Sequence, residues 1–435
     1  MKIASLRTLS ATIMGLCAGG AHAAGFHLLE QNASGIGNAY AGSAAIADNA
    51  STIFFNPAGM TYLPGVNVSA GVSAIKPSFR FSDGGSTGPG GPIGPAVGSN
   101  SGGDAGSIGA VPNAYISWQL SPQWFAGLGV GAPFGLKTEY DDDWIGRYHS
   151  KKFSIESVNI NPSIAFKVND RLSLGAGVNW MHLKADYRRD SAVLLGPPVV
   201  PGPMYLGDVG AKVKMSGDGW GWNIGMIYQA TDDTRVGLSY RSTTKIKADG
   251  TTSLSGIPAP AASILPASVD AKATVKLPDM AILSLVHNLN DQWQLLADVS
   301  WTGWSSIPAL DIDNGNPALN DSLELKFRDT WRVALGANYK YNEQWTFKGG
   351  VAYDQSPVRN ATYRPTSLPD NDRYWLSIGA QYSPSRNTTI DIGYAHLFVK
   401  STTIDNDTEP AKKGTVRGDY RSNANILGVQ VSYRF

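Results

Sequence analysis

Residues 292–301 read Gln292-Trp293-Gln294-Leu295-Leu296-Ala297-Asp298-Val299-Ser300-Trp301, "QWQLLADVSW". Side chains alternate across an extended chain, so Trp293, Leu295, Ala297, Val299 and Trp301 share one face while Gln292, Gln294, Asp298 and Ser300 share the other. The two tryptophans are roughly 26 Å apart along a strand. At a tilt of about 40° this projects to about 20 Å, close to the ~25 Å apolar band and aromatic girdles of an outer-membrane barrel. A soluble sandwich alternates as well, but it has no reason to end its apolar faces on aromatics so often. The pattern recurs in Trp220, Trp222, Ile224, Met226 and Tyr228, and in Trp331, Val333, Leu335, Ala337 and Tyr339. Trp345, Phe347, Val351 and Tyr353 repeat it again.

Outward from this stretch, connections alternate in length. Short turns fall at Ser121-Pro122-Gln123, Asn169-Asp170-Arg171, Thr231-Asp232-Asp233, Asn290-Asp291, Asn342-Glu343 and Pro384–Asn387. Long ones fall near 82–110, 139–150, 190–212, 250–272, 312–322, 357–372 and 404–421. Together they join fourteen strands beginning near Gly65. The fold expected is all-β, a 14-stranded antiparallel transmembrane β-barrel with its long loops outside the cell. Closure removes the edges that lipid cannot satisfy. The chain ends on alternating Leu427, Val429, Val431, Tyr433 and Phe435. Tyr433 and the terminal Phe435 resemble the signal read by the barrel-assembly machinery of bacterial outer membranes.

Composition agrees. Of 435 residues, 49 are Gly, 12 Trp and 18 Tyr, and only 16% are charged. No apolar run after the leader is long enough for a membrane helix. Residues 1–23 read as a signal peptide: Lys2 and Arg7, an apolar stretch, then Ala21-His22-Ala23, with cleavage expected between Ala23 and Ala24. The single cysteine, Cys17, leaves with it, and loss of Lys2 and Arg7 turns the formal charge from +1 to −1. Nothing in that balance points to nucleic acid. The expected location is the outer membrane of a Gram-negative bacterium, with lipid and lipopolysaccharide as surroundings.

Motifs of chemistry fall away on inspection. Gly84-Gly85-Ser86-Thr87-Gly88 matches G-x-S-x-G but sits in a Gly/Pro-rich loop with no following helix. Gly127-Leu128-Gly129-Val130-Gly131 lacks the helix and ribose acid of a dinucleotide site and reads as one bare face of a strand. His27, His149, His182, His287 and His396 show no metal-ligand spacing, and Asp141-Asp142-Asp143 reads as a solvated loop tip. No enzyme, cofactor or metal is expected.

Two features do not suit a simple water-filled pore. Loop 190–212 carries Leu194, Leu195, Val199, Val200 and Leu206, costly in water unless they pack together or capture something apolar. Pro133, within "GVGAPFGLK", falls in the third strand, where a missing N–H implies a local break in pairing.

Residues 24–65, "AGFHLLEQNASGIGNAYAGSAAIADNASTIFFNPAGMTYLPG", are similar to the N-terminal plug of the FadL family of outer-membrane transporters for long-chain fatty acids and other hydrophobic compounds. "GWGWNIGMIYQ" (219–229), "YRSTTKIKADG" (240–250), 328–358 and "DRYWLSIGAQY" (372–382) extend the likeness over nearly the whole chain. The resemblance implies an N-terminal hatch, 24–64, inside a barrel of 65–435, and a monomer. Asn56, Pro57 and Ala58 would form the hatch turn, and Phe54 and Phe55 would line an apolar path. Gly131, Ala132 and Pro133 lie where the family kinks its third strand to open a lateral gap. Arg328 falls at a basic ligand position. Strand parity turns Arg328 and Arg332 inward as partners for a ligand carboxylate, whereas Lys184, a second candidate, shares parity with lipid-facing Leu172, Leu174 and Trp180. The function implied is passive uptake of long-chain fatty acids with lateral exit. Uptake of aromatic or alkane hydrocarbons on the same fold, and a receptor or adhesin barrel, are the alternatives.

Overall fold

The structure is a computed structural model that describes residues 25–195 and 204–435. Residues 1–24, with the leader and its cleavage point at Ala23 and Ala24, lie outside the described residues, as do Val199 and Val200.

Fourteen antiparallel strands close into one barrel. They are β1 (Val66–Asp83), β2 (Gly109–Gln119), β3 (Trp124–Gly131 and Gly135–Glu139), β4 (Lys152–Lys167), β5 (Leu172–Leu195), β6 (Met204–Gln229) and β7 (Thr234–Arg241 and Thr244–Ser255). There follow β8 (Ser268–Leu277 and Met280–Asn288), β9 (Trp293–Thr302), β10 (Thr330–Lys340), β11 (Trp345–Asp354), β12 (Arg373–Ser385), β13 (Thr388–Val399 and Thr402–Asn406) and β14 (Val416–Arg434). Each pairs with its sequence neighbour, and β14 returns to β1 from Asn67↔Arg434 to Asp83↔Gly418, leaving no free edge. Outside the barrel order, a small external hairpin, Ala309–Asn314 with Asp321–Glu324, adds to β8 at Ala271–Ala273.

Alternation decides which face meets lipid. Trp331, Val333 and Leu335 are 53%, 45% and 58% exposed, while the intervening Arg332 and Ala334 are buried in the lumen. The terminal Leu427, Val429, Val431, Tyr433 and Phe435 face outward in the same way.

Two expectations change. Residues 190–195 and 204–212 are strand, not loop: β5 and β6 run 24 and 26 residues, and their ladder continues to Leu195↔Met204 through a bulge at Val193/Leu194. Leu194, Leu195 and Leu206 therefore sit on strands. Val193 and Val209 point inward and pack with Ala261, with Leu206, Leu254 and Leu265 against them, so this apolar stretch is covered by the loop after β7. Arg328 does not face the lumen. The ladder of β10 starts only at Thr330, and Lys326 has a positive φ of 42°, so alternation does not carry back to Arg328. Its side chain is 44% exposed.

Residues 25–64 fill the lumen. They contain a 3₁₀ turn at Ile36–Asn38, one helical turn at Thr52–Phe55 and a 3₁₀ turn at Pro57–Tyr62. Room for them comes from inward-facing wall glycines. A Cβ at Gly175 would strike Ala58, one at Gly225 would strike Asn56, and one at Gly350 would strike Asn38. The bare face of Gly127 and Gly129 likewise receives Met60 and Ile53.

Candidate functional site

The third strand breaks where its proline lies. Gly131 pairs with Asn159 and Gly135 with Glu156, so β3 spends one residue more than β4 between the same rungs. Such a bulge bends a strand and leaves backbone groups to be satisfied elsewhere. Toward β4 a side chain mends the gap: Phe134 N donates to Ser157 Oγ at 2.9 Å, and Ser157 Oγ donates to Phe134 O at 2.6 Å. Toward β2 nothing in the wall mends it. The β2–β3 ladder runs only from Gln119↔Phe125 to Ala114↔Val130, and Gly109–Asn113 pair with β1 alone. Contact returns above, at Gly106↔Thr138. A window thus separates 109–113 from 131–137.

The lumenal segment supplies what the wall lacks. Leu28 N donates to Pro133 O at 2.8 Å, and Gly135 N donates to Phe26 O at 2.9 Å. Gln31 Nε2 donates to Ala132 O at 2.9 Å, and Tyr115 Oη donates to Gln31 O at 2.7 Å. Residues 26–31 are in effect a substitute strand. On the far edge, Asn113 is buried and both polar atoms of its side chain lack a partner.

Phe26 carries the same segment into an apolar chamber above it. Its ring lies 4.8 Å from Trp304 and 5.9 Å from Phe134, with Phe327, Leu136, Ile155 and Leu183 in the cluster. Gly25 has φ +64°, and a Cβ there would meet the Trp304 indole at 2.6 Å. Its N–H donates to Asp370 Oδ2 at 3.1 Å, and Asp370 in turn holds Arg373 at 2.7 Å. The space left is about 30 Å³, bordered by His27, Tyr40, Asp298, Trp304 and Arg332. That is room for about one water, so the chamber is occupied by the protein's own phenylalanine.

Of the three candidate carboxylate partners only Arg332 faces this space. Its Nη2 donates to Ala39 O at 2.7 Å, its guanidinium lies 5.1 Å from the Trp375 ring, and its Nε is buried without a partner. Arg328 instead donates from Nε to Ser356 O at 3.1 Å and meets Asp372 at 3.5 Å. Lys184 stands exposed on the outer face of β5.

Asn56 caps the 3₁₀ turn begun by Pro57, accepting from Ala58 N at 3.1 Å, and its Nδ2 donates to Ala44 O at 2.7 Å and Met226 O at 3.0 Å. One side chain therefore ties two parts of the lumenal segment to β6. Phe54 lies 4.4 Å under the Arg241 guanidinium, and Phe55 packs on Tyr40 at 5.8 Å; both are core of the segment, not lining of a passage. Arg241, Lys348 and Glu30 escaped the sequence reading. Arg241 donates to Phe54 O at 2.9 Å; Lys348 donates to Ser34 O at 3.0 Å and pairs with Asp391 at 2.8 Å. Inward parity opposite Tyr240 and Phe347 would have marked both cations. Glu30 is fully buried with no side-chain partner for either oxygen.

The family model for outer membrane protein transport proteins (OMPP1/FadL/TodX) matches residues 14–435. The chain is 33% identical to outer membrane protein P1 of Haemophilus influenzae, over 99% of both chains. It is 29% identical to the long-chain fatty acid transport protein of Escherichia coli K12, over 95% of both. Among solved structures, a Pseudomonas aeruginosa FadL homologue superposes with a TM-score of 0.85 at 28% identity, covering 95% of this chain and 100% of that one.

Proposed function

The chain belongs to the OMPP1/FadL/TodX family of outer-membrane transporters of hydrophobic compounds, and from that premise we propose that it takes up long-chain fatty acids and releases them sideways between β2 and β3. The observation that carries this is the double duty of residues 26–31. They hold Phe26 in the apolar chamber and, with the same backbone, close the wall at Ala132–Gly135. An acyl chain that displaces Phe26 would withdraw the substitute strand and unseal the window in one movement. No nucleotide is needed, since ligand binding drives the change and the gradient drives the flux.

The route straight down is less favourable. Below the lumenal segment lies a polar vestibule of about 560 Å³ lined by Asp48, Asn338, Lys340, Lys348 and Gln381. Each methylene exposed there costs about 0.8 kcal/mol. The unpaired Arg332 Nε beside the residual cavity favours an acid over a neutral hydrocarbon, because a buried donor gains most from an anionic acceptor. The test is uptake of labelled oleate, with toluene in parallel, by cells lacking their own transporter and expressing this chain. Oleate uptake above the empty-vector level supports the reading. Toluene uptake alone would shift it to a hydrocarbon channel, and no uptake of either would leave the receptor barrel.

A further inference from the structure

Most of the outer wall that faces lipid is apolar, but on β5–β8 it turns cationic from the level of Trp220, where Lys245 and Lys276 stand, upward to Lys212 and Lys214. Outward positions of β5 run Leu174, Val178, Trp180 and then Lys184 and Arg188. On β6, Lys212 and Lys214 stand beyond Trp220 and Trp222; β7 adds Lys245 and Lys247, and β8 adds Lys272 and Lys276. Two of these cation pairs are direct cross-strand neighbours: Lys245 opposite Lys276, and Arg188 opposite Lys212. Like charges placed so repel one another. Carboxylates on this face answer part of the charge: in the ladders Glu156 lies opposite Lys184, Asp186 opposite Lys214, Asp218 opposite Lys247 and Asp249 opposite Lys272, whereas Lys245 and Lys276 face only each other. Asp186 meets Lys152 at 3.1 Å and Arg188 at 3.3 Å, and Asp218 meets His182 at 2.9 Å. Among the described residues, Lys212, Lys214, Lys245, Lys247 and Lys276 have no ion pair. Between Lys184 and Lys214 the wall is hollowed by about 380 Å³, but Glu156, Asp186 and Asp249 also line this hollow, so the uncompensated cations lie beside it and not in it.

Height identifies the occupant. Lys184 is four residues beyond Trp180, roughly 13 Å along the strand and about 10 Å along the membrane normal, in the polar layer outside the girdle. Directly beneath lie Trp220, Trp222 and Ile224, 67%, 48% and 49% exposed. A ligand that fits both parts has anionic phosphates above and acyl chains below. We infer that the outer face of β5–β8 docks the phosphorylated saccharide headgroup of lipopolysaccharide, one phosphate bridging Lys245 and Lys276 and another reaching Lys212 and Lys214. The bound phosphates relieve the cross-strand repulsion, and the acyl chains lie on the tryptophans. A free phosphate or an acidic protein would use the lysines but not the apolar wall below them.

The experiment uses the full chain in detergent with EDTA present, titrated with bisphosphorylated lipid A and with its dephosphorylated form, with bound lipid counted by native mass spectrometry. The wild-type chain should prefer the phosphorylated form. The quadruple variant K212Q/K214Q/K245Q/K276Q should lose affinity by roughly six hundredfold, since each basic group at an anionic lipid surface is worth about fivefold. Lys340→Gln, at the periplasmic end, should bind as wild type. Equal affinity of the wild-type chain for both lipids would overturn the proposal even if the variant failed to fold. An unchanged affinity in a heat-modifiable, folded variant would overturn it as well.

Discussion

Two seams of this barrel differ. Where β1 meets β14 the ladder is unbroken from Asn67↔Arg434 to Asp83↔Gly418; where β2 meets β3 it stops at Ala114↔Val130 and leaves Gly109–Asn113, paired with β1 on their other side, without a partner in β3. Both seams face a solvent that cannot satisfy a bare N–H or C=O. The first solves the problem within the wall. The second solves it with residues from another part of the chain, Phe26 to Gln31, and a bond made across parts can be unmade without unravelling the barrel. Permanence and reversibility thus follow from who supplies the partner.

The largest effect should come from making the second seam like the first. Deleting Pro133 removes the extra residue between the Gly131 and Gly135 rungs and lets β3 run continuously along β4 and toward β2. Oleate uptake should fall to the level of cells without the protein, while oleate binding to the purified chain persists. Next, Arg332→Ala leaves the Ala39 carbonyl buried without its donor, at a cost of about 1–3 kcal/mol. The lumenal segment should loosen, and planar-bilayer recordings should show a leak absent from the wild-type chain.

A smaller effect is expected from pH. Burial raises the Glu30 carboxyl from 4.5 to about 7, with Arg373 and Arg332 pulling the other way and Asp354 adding to the rise; Tyr40 lies near as well. The seated segment therefore binds a proton that the released one does not. Its seating should be firmest at low pH and weaken as pH rises from about 4.5 to 7, with the full penalty present above that. Hydrogen exchange at amides 26–31, corrected for intrinsic rates, should show this rise in opening. Glu30→Gln should flatten it. Smallest for transport is Asp321→Asn. Burial opposes ionisation of this carboxyl, but Arg189 at 2.8 Å and Lys413 at 3.0 Å, with Lys412, hold it well below the usual carboxylate range. That external tie is complete above the ordinary carboxylate pKa and is lost as pH falls through the depressed one. The variant should expose segment 407–415 to protease while oleate uptake stays near wild type, because neither seam is touched.

The wall was legible because its code has period two: Trp293 to Trp301 named the lipid face without any knowledge of neighbours. Pro133 was legible for the same reason, since a residue without an N–H cannot serve a ladder. The lumenal segment was not. Its 3₁₀ turns have no period, and its positions are set by glycines far off in sequence, such as Gly225 beneath Asn56 and Gly350 beneath Asn38. Arg328 misled because parity was carried through residues that are not strand. Leu194, Leu195 and Leu206 misled in the opposite sense, a pairing that outlasts the membrane having been read as a loop.

The sideways exit is tested most directly by where cargo touches the protein during transport. A diazirine-bearing long-chain fatty acid, photolysed during uptake, should attach to residues 109–113 and 132–134. Labels confined to the lower vestibule, at Asn338, Lys348 and Gln381, would show that cargo leaves straight down and would contradict the account.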